Sequence, residues 1–202
     1  MTISMENNQN RYTDGDAYLI LKKKAELLVR ENIKGDRKGL PGEKNYLHSL
    51  RVEKSVSDNH HWDDPDYDVF LAALLHDIVE DGGISLNKLK ELGFTERTIE
   101  LVDLCSHSLG VQDKNERWVL MIARLIKAND DDAWRIKLAD LADNLGQSRG
   151  LSPENRRFMI EVKTPLLLRL TQRFCMIYRN RHLLEVEMEK QRLEMDLKMT
   201  NN

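Results

Sequence analysis

Residues 69–83 read VFLAALLHDIVEDGG. Seven apolar residues run without a polar face, and His76 and Asp77 follow at once. Glu80 and Asp81 come one turn later, and then two glycines. An apolar run of this kind predicts a central helix buried on all sides. Charge leaving such a helix needs compensation, because burying an ionised group costs several kcal/mol unless it is paired or binds a metal. The stretch thus requires either an ion or an exposed position.

Helical signals continue on both sides. Residues 16–32 carry apolar positions at helical spacing, with Asp16 as a cap. Residues 33–45, IKGDRKGLPGEKN, are rich in Gly and basic side chains and read as a loop. Residues 46–61 form a second expected helix, which carries His48. The third is expected to start at Pro65 and to run through Asp81. Ser85 and Thr95 are N-cap signals for two short helices, and Gly93 is a stop between them. Residues 114–129 and 132–147 are amphipathic, and Ser152-Pro153 opens another helix. From about Pro165 a single long helix is expected, its last part mostly charged. No strand alternation or long-period repeat is present. The expected fold is all-α, a bundle of about eight to ten helices with a long C-terminal helix. Residues 1–14 are expected to be a disordered lead, 15–170 the domain, and 171–202 a helical extension.

The chain has 202 residues, 41% hydrophobic and 32% charged, with 10 Gly and 4 Pro, a balance that favours helix in a soluble domain. A formal charge of -3 gives no reason to expect nucleic acid or an anionic membrane as a partner. Two cysteines, Cys105 and Cys175, make no paired motif and suit a reducing, cytoplasmic setting. No apolar run approaches a membrane span, and the N-terminus lacks the apolar core of a secretory signal.

The ionisable residues fall into a pattern. His76 and Glu80, Asp77 and Asp81, and Asp140 and Asn144 are each spaced i,i+4, so each pair can share a helix face. A divalent cation wants imidazole and carboxylate ligands from separate elements, with positions left for water and substrate. His48, His76, Asp77 and Asp140 can supply that set from three helices. The mixed donors suit Mn²⁺, Fe²⁺ or Zn²⁺ more than Ca²⁺. His60-His61, His107 and His182 read as surface histidines, and Trp118 and Trp134 as core or pocket wall.

The order His, His-Asp, Asp on helices resembles the HD-domain metal-dependent phosphohydrolases. LLHDIVED resembles the HDxVED form of the hydrolase domain of RelA/SpoT proteins and of small stand-alone alarmone hydrolases. IKLADLADNL resembles their KLAD...N element, and DRKG their basic pair before the first histidine. The likeness covers roughly residues 15 to 170. It implies a metal-dependent alarmone (ppGpp) hydrolase that releases pyrophosphate from the nucleoside 3′ position. His48, His76, Asp77 and Asp140 would be the ligands, with Mn²⁺ the expected ion and Fe²⁺, Zn²⁺ or Mg²⁺ as alternatives. Glu80 and Asp81 would direct the attacking water, and Arg37, Lys38 and Asn144 would hold the nucleotide. Two positions depart from the pattern: Ser49 stands where the family usually has Pro, and Gly82 where it usually has Thr. A synthetase domain does not fit in the remaining length. The alternatives are an HD phosphohydrolase for another nucleotide, such as a 5′-nucleotidase or a dNTP hydrolase, and a silent nucleotide-sensing module. The expected partner is a small nucleotide, with self-association through the C-terminal helix as a further expectation.

Overall fold

The computed structural model describes residues 15–38, 40–60, 65–107, 110–174 and 177–200, with side chains to residue 196. The lead expected over residues 1–14, His61 and Cys175 lie outside the described residues.

The all-α expectation holds: ten α-helices account for most of the described residues. Helix α1 (Gly15–Asn32) buries Leu21, Ala25 and Val29, one face at i,i+4 spacing. Helix α2 (Tyr46–Asp58) does the same with His48, Val52 and Val56. Between them the basic loop folds into a small antiparallel hairpin, β1 (Asp36–Arg37) and β2 (Leu40–Lys44). No alternation announces it, because a pairing this short buries no apolar face. It is held by polar contacts at its base: Asp36 accepts from Lys44 Nζ at 2.8 Å and from the Gly42 amide at 3.0 Å.

Helix α3 (Tyr67–Leu75) is the buried centre, with every residue from Asp68 to Leu75 inside the core. Asp66 caps it by accepting from the Val69 amide. The sequence suggests a helix continuing through Asp81, but the α-helix ends at Leu75. Residues 76–82 form tight turns instead, with Ile78 N donating to Leu75 O and Asp81 N to Asp77 O. The stretch closes at Gly83, which takes a positive φ of 67°, and Ile84 N reaches back to Ile78 O, so the chain reverses there.

Helices α4 (Leu86–Glu91) and α5 (Glu96–Cys105) carry the expected Ser85 and Thr95 caps, and Gly93 ends α4 at a φ of 90°. Helix α6 (Lys114–Ala128) follows. Helix α7 (Asp131–Gly146) is buried continuously from Ala133 to Leu141 and lies against α2, α3, α5 and α10. Helix α8 (Pro153–Phe158) passes into one wider π turn, Met159–Lys163, and then into α9 (Thr164–Leu170).

The single long C-terminal helix is not what forms. It is split, and α10 (Tyr178–Thr200) starts afresh after a break. At the break the Thr171 hydroxyl donates to Leu167 O at 2.7 Å, which competes with helix continuation. Phe174 and Ile177 are buried and anchor the bend. Helix α10 packs onto α7 with Leu184 and Met188 in the common core. It is also tied by Arg156 donating to Gln191 and Glu194, and by Arg149 to Glu194. Among the described residues no helix is long and apolar enough to cross a membrane.

Asp130 fixes the start of α7. Its carboxylate accepts from the Asp132 and Ala133 amides and pairs with Arg97 at 2.6 and 3.1 Å. Burial alone would raise its pKa, but Arg97 and the two amides hold it below the usual carboxylate value. A depressed folded-state pKa adds stability above the unfolded value, and that stability fades as pH falls through the folded value. Asp130→Ala is expected to cost about 1–2 kcal/mol at neutral pH, as for loss of a helix cap, and to reduce the loss of stability on acidification below about pH 4. Urea unfolding midpoints at pH 7 and pH 3 check this.

Candidate active site

Three helices meet around one group of side chains. Helix α2 supplies His48, the turn after α3 supplies His76 and Asp77, and α7 supplies Lys137, Asp140, Asp143 and Asn144. His48, His76 and Asp77 place ligand atoms within 4.8 Å of one another. Asp140 Oδ1 joins them, 3.1 Å from His48 Nε2 and 3.7 Å from His76 Nε2. Asp77 Oδ2 lies 3.5 and 3.2 Å from the same two nitrogens.

Each ring is turned by its other nitrogen. His76 Nδ1 is 2.8 Å from Ala73 O, an atom that only accepts, so Nδ1 carries a proton and Nε2 faces the cluster. His48 Nδ1 is 2.7 Å from Asp143 Oδ2, which holds Nε2 toward Asp140 in the same way. Asp143 is itself clamped by Arg51 at 2.6 and 3.1 Å. Asp140 accepts from Lys137 Nζ at 2.5 Å and from Asn144 Nδ2 at 2.5 Å. Asn144 in turn accepts from Arg37 at 2.6 Å.

His76 Nε2 is fully buried and makes no well-aligned hydrogen bond to any described residue, although Asp77 Oδ2 is close. Atoms that converge within a few ångströms without lining up on one another are arranged as ligands of a shared ion. Burial pushes the His76 pKa down, but the Asp77 and Asp140 carboxylates more than reverse this and raise it to about 10. Burial would raise the Asp77 and Asp140 carboxyls, and His76 and Lys137 respectively draw them well down instead. The pocket therefore concentrates negative charge that protons on imidazole or a divalent cation can balance. The donor set fits a divalent cation.

The cluster opens onto a cleft of about 480 Å³. Asp36, Arg37, Lys38 and Asn45 line it from the hairpin segment, together with Asp77, Asp81 and His107. Leu141, Asn144, Gln147, Leu151, Met159 and Lys163 complete it. Of the two acids the sequence placed beside the water, Asp81 lines the cleft and Glu80 is not among the lining residues. Asp81 accepts from Asn45 at 3.3 Å, and burial together with the Asp77 charge raises its pKa. Glu80 does not stack on His76, because the helix stops before the i,i+4 register applies. Its carboxylate accepts from the His107 amide at 2.7 Å and lies 2.6 Å from His107 Nδ1.

His107 is thus a wall of the cleft rather than a surface histidine. His107 and Lys163 had no signal in the sequence, since later elements bring them in. Lys137 and Arg51 did have one: each sits three residues from a cluster residue on the same helix. Trp134 is core, and Trp118 stands behind Lys163.

No protein-family model matches the chain. The bifunctional (p)ppGpp synthase/hydrolase SpoT of Escherichia coli strain K12 is 34% identical over 113 residues, which are 52% of this chain and 16% of that protein. A guanosine-3′,5′-bis(diphosphate) 3′-pyrophosphohydrolase of Haemophilus influenzae is 31% identical over 137 residues, 64% of this chain and 20% of that one. This chain therefore spans a fifth or less of the length of the curated relatives it matches. A solved structure, described as a metazoan ortholog of SpoT that hydrolyzes ppGpp, superposes with a TM-score of 0.66 at 24% identity. The match covers 91% of this chain and 97% of that one, so the whole fold is shared.

Gly82 closes the turn that aims Asp77 and Asp81. A Cβ there would lie 2.7 Å from Ile78 O and from Ile78 Cδ1, and 3.3 Å from Asn32 Cβ. The side chain can move but the carbonyl cannot without reshaping the turn. Gly82→Thr is expected to destabilise the protein by about 1–3 kcal/mol, the usual range for overpacking. Thermal unfolding checks this, and an unchanged midpoint would show that the turn yields freely.

Proposed function

We propose that this chain, an HD-domain homologue of the RelA/SpoT-type hydrolases, is a metal-dependent phosphohydrolase that converts ppGpp to GDP and pyrophosphate. The observation that carries the reading is the two-imidazole, two-carboxylate cluster opening onto a cleft with Arg37 and Lys38 on its wall. The names of the curated relatives support the choice of substrate.

In this reading His48, His76, Asp77 and Asp140 hold one divalent ion, with Mn²⁺ the proposed metal. Such an ion supplies Lewis acidity toward a phosphoryl oxygen and makes a nearby water more acidic. Asp143 and Ala73 O keep the two imidazoles in the ligating orientation. Asp81 accepts the proton of the attacking water. Its raised pKa brings it nearer to neutral pH than an ordinary carboxylate, which suits a general base. The water oxygen bonds to phosphorus, the bond from phosphorus to the nucleoside 3′ oxygen breaks, and that oxygen takes up a proton from solvent to leave as the hydroxyl of GDP, while Asp81 returns its own proton to solvent. Arg37, steadied by Asn144 and Asn45, and Lys38 bind phosphate oxygens and balance the charge that builds there. Glu80 fixes the position of His107 at the cleft wall. A cytoplasmic location is proposed with the substrate. Self-association through α10 is also proposed, resting on the exposed Val186 and Leu193.

Purified protein with Mn²⁺ is expected to release pyrophosphate and GDP from ppGpp, and chelation is expected to stop it. Asp81→Asn is expected to keep one metal ion per chain and lose about 10²–10⁴-fold in turnover, the range for a general base. Product identification and elemental analysis together check this. Turnover of other nucleotides with none of ppGpp would contradict the substrate, and loss of the metal in Asp81→Asn would make Asp81 a ligand.

A further inference from the structure

Lys163 is a cation that the cluster itself does not account for. It ends the π turn between α8 and α9, an irregularity that is rare in helices and frequent at functional positions. It lines the cleft on the wall formed by Met159 and Leu151. Its stem is laid over two rings: Nζ is 5.2 Å from the Trp118 ring centre and 5.7 Å from that of Phe158. Those rings pack edge to face on each other and fix where the ammonium can go. Among the described residues Lys163 forms no ion pair and no hydrogen bond. A half-buried ammonium held at a cleft wall without an anionic partner is positioned for an anion that arrives with the ligand.

Its place relative to the other cations is informative. Arg37 reaches α7 at Asn144, one turn beyond Asp140 toward the C-terminus. Lys163 lies near enough to the same helix to feel the charges of Asp140 and Lys137. Burial lowers its pKa, and an anion bound beside it would offset that cost of burial. The same cleft is lined by Leu141, Leu151 and Met159 together with Asn144 and Gln147. It thus combines the cations Arg37 and Lys38, an apolar surface and a further cation, Lys163, that no carboxylate of the described residues engages.

We propose that Lys163 binds the 5′-diphosphate of a nucleotide whose 3′-diphosphate lies at the metal cluster, and so selects substrates phosphorylated at both ends. This deepens the reading above and rests on it for the identity of the nucleotide. The residue acts in specificity and binding, not in the chemical step.

The test uses GDP, which keeps the 5′-diphosphate and needs no turnover. Calorimetric titration of GDP and of guanosine into the Mn²⁺-supplemented full chain would compare wild type, Lys163→Gln and Lys163→Arg. The Gln variant is expected to bind GDP about tenfold more weakly, as for loss of one charge-assisted contact, and the Arg variant to recover most of this. Guanosine affinity is expected to be the same in all three. Equal GDP affinity in wild type and Lys163→Gln, an equal loss for guanosine, or no binding of GDP by wild type would overturn the proposal. A ppGpp turnover assay on the same samples separates the two readings. GDP binding that depends on Lys163 without ppGpp turnover supports the 5′-diphosphate contact while removing the proposed reaction. Turnover with Lys163-independent GDP binding does the reverse.

Discussion

The convergence of His48, His76, Asp77 and Asp140 at the junction of α2, α3 and α7 is the constraint around which the fold is arranged. A buried carboxylate costs several kcal/mol unless something positive answers it, and here two face the same point. The neighbouring imidazole of His76 and the ammonium of Lys137 draw the Asp77 and Asp140 carboxyls down, and the carboxylates in turn raise His76. A second layer of contacts makes the arrangement specific. Ala73 O, Asp143, Arg51 and Lys137 fix orientations that the four residues alone would not hold. The short apolar α3 and the buried α7 are rigid elements that bring these groups together from positions far apart in the chain.

Much of this was legible because the signals were local. The apolar run before His76 marked the core helix, and the order of His48, His76-Asp77 and Asp140 marked the cluster. Side chains that depend on a neighbour three or four residues away followed from helix geometry, as with Asp140 and Asn144. The departures share one cause: a local pattern ends where tertiary contacts take over. The i,i+4 spacing puts Glu80 on the face of His76, but the α-helix ends at Leu75 and Glu80 meets His107 instead. The pattern from Pro165 suggests one continuous helix, but the Thr171 hydroxyl and the burial of Phe174 and Ile177 interrupt it. The hairpin at Arg37 had too little apolar surface to show in any pattern.

The cleft divides by element in a way that suits a ligand of mixed character. The hairpin contributes Asp36, Arg37 and Lys38, the turn after α3 contributes Asp77 and Asp81, and the π turn contributes Met159 and Lys163. Of these, the hairpin lies on exposed irregular backbone, and in the π turn Met159 belongs to the core while Lys163 stands outside it. The cluster residues come from the core, where the fold and the cluster depend on each other. Lys38 and Lys163 can therefore vary while the cluster stays as it is, whereas Arg37 is tied to it through Asn144.

The most direct test of the account is the thermal midpoint of the purified chain as Mn²⁺ is titrated against a metal-free reference. An ion that binds the folded cluster and not the unfolded chain stabilises by about 2.7 kcal/mol at a hundred times its dissociation constant. The account predicts a midpoint that rises with Mn²⁺ and saturates as one site, and a His76→Ala variant that folds but gives no such rise. A midpoint independent of Mn²⁺ in the wild-type chain, or an undiminished rise in His76→Ala, would contradict it.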